Sequence, residues 1–222
     1  MMHVPGPLAA VHNHHRLWPY SLMRTSTLAL LAPTLLALSA AACSPDRQAG
    51  VDPACFTRTS EAIGGPLSLI SNTGVRVTEN SFKGQKTLVF FGFTYCPDTC
   101  PGTLTRIGVA MSMLPKSVKP PKTVLISVDP ARDTPEALSL YIASNGFPTD
   151  IVGLTGSDDE LEAVSKAFVA PFERIEDPDS SAGYSFNHSA ILYLMDENWK
   201  LATFFQPDAR PEDMAKCIAA LS

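Results

Sequence analysis

Cys96 and Cys100 stand in the stretch Thr94-Tyr95-Cys96-Pro97-Asp98-Thr99-Cys100-Pro101. Two thiols separated by three residues can serve as a soft-metal ligand pair or as a redox couple. Four of the five histidines lie within the first 15 residues, so His188 is the one imidazole in the rest of the chain. Two thiolates and one imidazole suit Cu(I) or Zn(II), and thiolate softness favours copper. Other chemistries compete for the same residues. Structural zinc takes four protein ligands and would need Cys55 or Cys217 as the fourth. Disulfide exchange needs only Cys96 and Cys100 and leaves His188 unexplained. A structural Cys96–Cys100 bridge is a further alternative, and spacing alone does not decide among these. A thiol peroxidase would need a single peroxidatic cysteine in its own motif, which neither cysteine shows.

The elements around these residues must bring an early sulfur pair to a late imidazole. Leu88, Val89, Phe90, Phe91, Gly92 and Phe93 form an apolar run that reads as a strand buried on both faces. Each cysteine precedes a proline, which disfavours helical backbone and predicts a loop from Cys96 to Cys100. Pro101 suits the first position of a helix extending over Gly102 to Met113. Cys100 then lies near a helix N-terminus, where unpaired N–H groups and the dipole favour thiolate. Residues 123–128 are a second β-branched run, a parallel neighbour reached by a right-handed crossover. Asp129-Pro130 ends that strand, and Asp133 or Thr134 caps the following helix with Pro135 in its first turn. Asp129 falls at the same sheet edge as the cysteines and is a candidate to orient a ligand from behind or to dock a partner. It is not itself a ligand, because carboxylate matches Cu(I) poorly.

Residues 66–70 and 75–78 about Gly74 predict an N-terminal β-hairpin. Residues 151–154 form a short strand, and Ser157 with Glu160 opens a helix through Phe168 by the capping-box pattern. Residues 171–186 are rich in Asp, Ser and Gly and read as a polar loop. Residues 190–195 and 200–205 form an antiparallel hairpin, and a helix over 211–221 closes the chain. This order predicts an α/β, thioredoxin-like fold with a central mixed sheet flanked by helices.

With 222 residues, 45% apolar and 18% charged, the chain can bury a large single core. A net charge of −5 without any Lys/Arg cluster argues against a nucleic-acid partner. Residues 1–22, interrupted by prolines, read as an N-terminal extension or start-site artefact. Residues 23–43 read as a signal peptide: one positive charge, an apolar core, then Ala40-Ala41-Ala42-Cys43. That ending resembles the lipobox of bacterial lipoproteins, with Ala40 where a Leu is usual, and makes Cys43 a lipidation candidate. Residues 44–64 are a tether and 65–222 the folded, metal-binding domain. With Cys43 assigned to lipid, Cys55 and Cys217 remain as a pair for a structural disulfide in an oxidising compartment.

Three segments together resemble a known family: residues 92–101 around the cysteines, residues 127–135 (Ser-Val-Asp-Pro-Ala-Arg-Asp-Thr-Pro), and His188-Ser189. Their order and approximate spacing are similar to the Sco/SenC copper chaperones. The resemblance implies Cys96, Cys100 and His188 as ligands for Cu(I) and Cu(II). It also implies a periplasmic or membrane-tethered protein whose partner is the copper-bearing subunit of cytochrome c oxidase or another cuproprotein. Some members of that family look more like thiol reductants, and Cys96 with Cys100 would then act as a redox disulfide. In either role a separate thiol reductant must keep the pair reduced. The segment Tyr184-Ser185-Phe186-Asn187 lacks the acidic residue or histidine expected just before the ligand.

Overall fold

The computed structural model describes residues 55, 62–179 and 182–222. The expected extension over 1–22, the signal segment 23–43 with Cys43, and all of the tether except Cys55 and residues 62–64 lie outside the described residues. Among those described, no helix is long and apolar enough to cross a membrane.

An antiparallel hairpin comes first, β1 (Ser68–Ser71) and β2 (Arg76–Thr78), turning at Gly74 with φ of +77°. The central strand β3 (Thr87–Gly92) is buried along its whole length, which is why its sequence shows no polar alternation. It leads into α1 (Thr99–Ser112), β4 (Lys122–Ser127), α2 (Pro135–Ile142), β5 (Ile151–Thr155) and α3 (Asp158–Phe168). After a two-stranded ribbon, β6 (Phe172–Glu176) with β7 (Tyr184–His188), come β8 (Leu192–Met195), β9 (Leu201–Phe205) and α4 (Pro211–Ala220). The seven-stranded sheet runs β2-β1-β5-β4-β3-β8-β9. Its centre, β3-β4-β5, is parallel and its flanks are antiparallel, the mixed sheet of a thioredoxin-like fold. α1 packs against α4 and α2 against β5.

Two local features differ from the sequence reading. Residues 172–176 and 184–188 are not loop but an antiparallel ribbon that pairs Phe172 with His188 and Arg174 with Phe186. Its side chains are mostly solvent-facing, so it lacks the apolar density of a core strand. The period-two placement of Tyr184, Phe186 and His188 was its signature. In addition, α1 begins at Thr99 rather than Pro101. Pro101 falls in the first turn, where an N–H has no intrahelical acceptor to lose, so the proline permits the earlier start. Cys100 is therefore inside the first helical turn, and residues 93–98 form the connection from β3 to α1.

At the far end of the chain, Cys55 and Cys217 are joined by a disulfide with a Cα–Cα separation of 5.2 Å. The bridge attaches the segment before the domain to the buried face of α4.

Candidate metal centre

The cysteine turn leaves the C-terminal end of β3, and His188 ends β7 beside it. The Cys96 and Cys100 sulfurs and a ring nitrogen of His188 all lie within 4.8 Å of one another. The Cys100 Sγ to His188 Nε2 distance is 3.7 Å. Ligand bonds of about 2.0–2.3 Å to nitrogen and sulfur place two donors roughly 3.5–4.4 Å apart around one ion, so this spacing fits a shared metal with little movement. His188 Nδ1 lies 3.0 Å from the Ser189 carbonyl oxygen, to which it donates. That bond puts the proton on Nδ1 and leaves the Nε2 lone pair directed at the sulfurs. Phe93 stands edge-on to the imidazole at 5.7 Å, so the ring is packed in place.

The two thiols are unequal. Cys100 is fully buried and Cys96 is 9% exposed. The Cys100 backbone N–H donates to Cys96 Sγ at 3.2 Å, one of the free donors of the first helical turn. The hydrogen bond from the Cys100 thiol holds Cys96 down to about 4 against the upward push of burial. Cys100 is pushed up, because it is the donor in that bond, is buried, and faces the Cys96 thiolate. One proton is thus shared between two sulfurs. The first thiolate forms readily and the second only when a cation compensates it.

Several neighbours build this geometry. Gly92 ends β3 beneath Cys100, where a Cβ would come within 2.9 Å of the Cys100 sulfur. Asp133, fully buried, accepts from Thr94 Oγ1 and Ser127 Oγ, each at 2.6 Å, and from the Thr94 amide. It ties the start of the cysteine turn to the end of β4. Burial pushes its carboxyl up, partly offset by those donors. The cap of α2 is Thr134 alone, whose Oγ1 accepts from the Ala137 amide. The expectation that Asp133 is mainly a cap is therefore corrected: its side chain has been drawn inward.

Asp129, 1% exposed, makes an ion pair with Arg132 and accepts from the Tyr184 hydroxyl at 2.9 Å. Both its oxygens are engaged with the ribbon and its support, so it acts on β7 and does not itself bond the sulfurs or His188. Cys55 and Cys217 are bonded to each other and cannot supply a fourth ligand. Cys43 lies outside the described residues. The close packing at Gly92, the part played by Arg132 and the ribbon were not legible in the sequence. A glycine inside an apolar strand run, where something else must approach the backbone closely, was the available signal for the first.

The SCO1/SenC family model matches residues 56–222. Protein SenC of Rhodobacter capsulatus is 38% identical over 168 residues, covering 74% of each chain. Protein sco1 of Schizosaccharomyces pombe is 38% identical over 160 residues, covering 71% of this chain; this chain spans 60% of the length of that relative. Among solved structures, Arabidopsis thaliana ScoI with copper bound superposes with a TM-score of 0.67 at 34% identity, covering 72% of this chain and 97% of that one.

Proposed function

The chain belongs to the SCO1/SenC family, and from that premise we propose that it carries copper between Cys96, Cys100 and His188 for assembly of the copper centre of cytochrome c oxidase. The observation that carries this reading is the convergence of two sulfurs and one imidazole nitrogen within 4.8 Å, with His188 88 positions beyond the nearer cysteine, Cys100. Two soft donors and one borderline donor select copper over hard cations. The low value of Cys96 supplies one thiolate near neutral pH, and the incoming cation displaces the remaining proton from Cys100. Three protein ligands leave the ion open to the ligands of an acceptor, so the cargo can pass through a shared intermediate. Oxidation of Cys96 and Cys100 to a disulfide removes two ligands together, which ties loading to a thiol reductant.

The sequence of residues 23–43 supports export to a bacterial periplasm, with Cys43 as the site of a lipid anchor. The Cys55–Cys217 disulfide accords with an oxidising compartment. The acceptor in this reading is the copper-bearing subunit of the oxidase.

A second reading is favoured by the lowered Cys96 value: the dithiol reduces the cysteines of the acceptor, one chain disulfide forming as one acceptor disulfide opens. Mixing experiments separate the two. The Cu(I)-loaded chain and a reduced, metal-free fragment of the oxidase subunit are combined and separated again, and the copper held by each is measured. Carriage predicts transfer, lost in His188→Ala. Copper retained by the chain, together with stoichiometric reduction of an oxidised fragment by the metal-free dithiol, would favour the second reading.

A further inference from the structure

The ribbon that carries His188 is not hydrogen-bonded into the main sheet. Its attachment to the rest of the domain therefore rests on side chains. Phe93 supplies an apolar link, with ring contacts to Phe186 at 5.6 Å and to His188 at 5.7 Å. The polar link converges on a single residue. The guanidinium carbon of Arg132 lies 4.5 Å from the ring centroid of Tyr95, the residue before Cys96. It also lies 3.7 Å from the ring centroid of Tyr184, four residues before His188 on β7. Arg132 Nη1 donates to the carbonyl oxygens of Ala182 and Tyr184 at 3.2 and 3.1 Å. Its Nε donates to Asp129, whose other oxygen takes the Tyr184 hydroxyl. The cysteine turn, the end of β4 and the ribbon thus meet on one planar cation.

We propose that Arg132 is a positioning residue for the site, holding the Cys96-bearing turn and the His188-bearing ribbon at the separation one metal ion requires. The copper part of this inference rests on the function proposed above, whereas the clamp itself is a property of the metal-free protein. Lysine cannot substitute. It offers a point charge to Asp129, but neither a flat face for two rings nor a second arm for the ribbon carbonyls.

The test compares Arg132→Lys, Tyr95→Ala and His188→Ala with the wild type, all reduced. Tyr95 is 57% exposed, so its truncation removes one face of the clamp with little risk to folding. In the metal-free proteins, amide hydrogen exchange over residues 184–188 should accelerate about tenfold in Arg132→Lys and Tyr95→Ala, with β3 and β4 unchanged. On adding Cu(II), both variants should lose roughly 10–100-fold in affinity, the range for groups that orient metal ligands, and their thiolate charge-transfer bands should move toward those of His188→Ala. Wild-type exchange over the ribbon would overturn the proposal. So would acceleration that extends equally through β3 and β4, or copper spectra and affinities identical to the wild type. If the wild type itself binds no copper, the carrier reading fails while the exchange data still decide the clamp.

Discussion

Replacing Gly92 by alanine tests how the cysteine site is built, because the structure predicts two separable effects. A Cβ at this position would meet Cys100 Sγ at 2.9 Å, Phe90 Cε1 at 3.0 Å and Leu125 Cδ1 at 3.2 Å. Phe90 and Leu125 are fully buried, and the Gly92 carbonyl is fixed by the Val128 amide at 2.9 Å, so the strand cannot back away. Ordinary contact needs about 3.5–4.0 Å, so the sulfur must retreat by roughly 0.5–1 Å or rotate off its present direction. Overpacking of this kind costs about 1–3 kcal/mol. For a domain of this size that lowers Tm by about 2–12 °C. The same displacement should weaken Cu(I) affinity at least tenfold and shift the Cu(II)–thiolate absorption. Gly108→Ala is the control. Its Cβ would lie 2.3 Å from the Gly146 carbonyl oxygen, so it should destabilise the fold at least as much while leaving the copper spectrum unchanged. Calorimetry and copper titration of both variants decide this: Gly92→Ala losing stability alone, or both variants changing the spectrum equally, would show that Gly92 does not set the position of the Cys100 sulfur.

Three further outcomes are expected. With Cys43→Ser and the Cys55–Cys217 disulfide kept intact, alkylation of the reduced Cys96–Cys100 pair by iodoacetamide should stop after one equivalent, on Cys96, and should persist well below pH 7 because that thiol is lowered to about 4; a rate that fades below pH 8.5 would contradict the shared proton. The sign for stability follows: the lowered Cys96 contributes fully above the ordinary thiol value of 9.0 and loses its contribution as pH falls toward 4, and the raised Cys100 works in the opposite sense. Removing the disulfide by Cys55→Ala with Cys217→Ala opens a cross-link spanning 162 positions and should cost about 2–5 kcal/mol in urea unfolding, with copper affinity retained. Val169 adopts left-handed backbone at φ 52°, ψ 42° while 62% exposed, so Val169→Gly should raise stability by about 1 kcal/mol, and a loss would show that its side chain holds the end of α3.

Much of the frame was legible because the physics behind it is local. The apolar run from Leu88 to Phe93 reads as an interior strand, and Ser157 and Glu160 exchange the capping-box bonds at 3.3 and 2.9 Å that their spacing implied. The hairpin about Gly74 follows from a turn that needs positive φ. What stayed hidden depends on distant partners. Asp133 looks like any helix cap until β3 and β4 bring Thr94 and Ser127 to it. Arg132 looks like a surface charge in a turn until the ribbon folds over it. The ribbon itself was masked by its exposure, since its polar residues are those of a loop and only every second side chain reports the strand. His188 stood out as the lone imidazole of the domain, yet nothing local in its sequence placed it beside Cys100; that required β3 and β7 to end at the same edge.

X-ray absorption at the copper edge of the Cu(I)-loaded, reduced chain reads the donor set of the ion itself. Two sulfurs and one histidine nitrogen should be bound to the ion, with His188→Ala losing the nitrogen and keeping both sulfurs. An environment of sulfur alone, or of oxygen, that is the same with and without the His188 ring would contradict it.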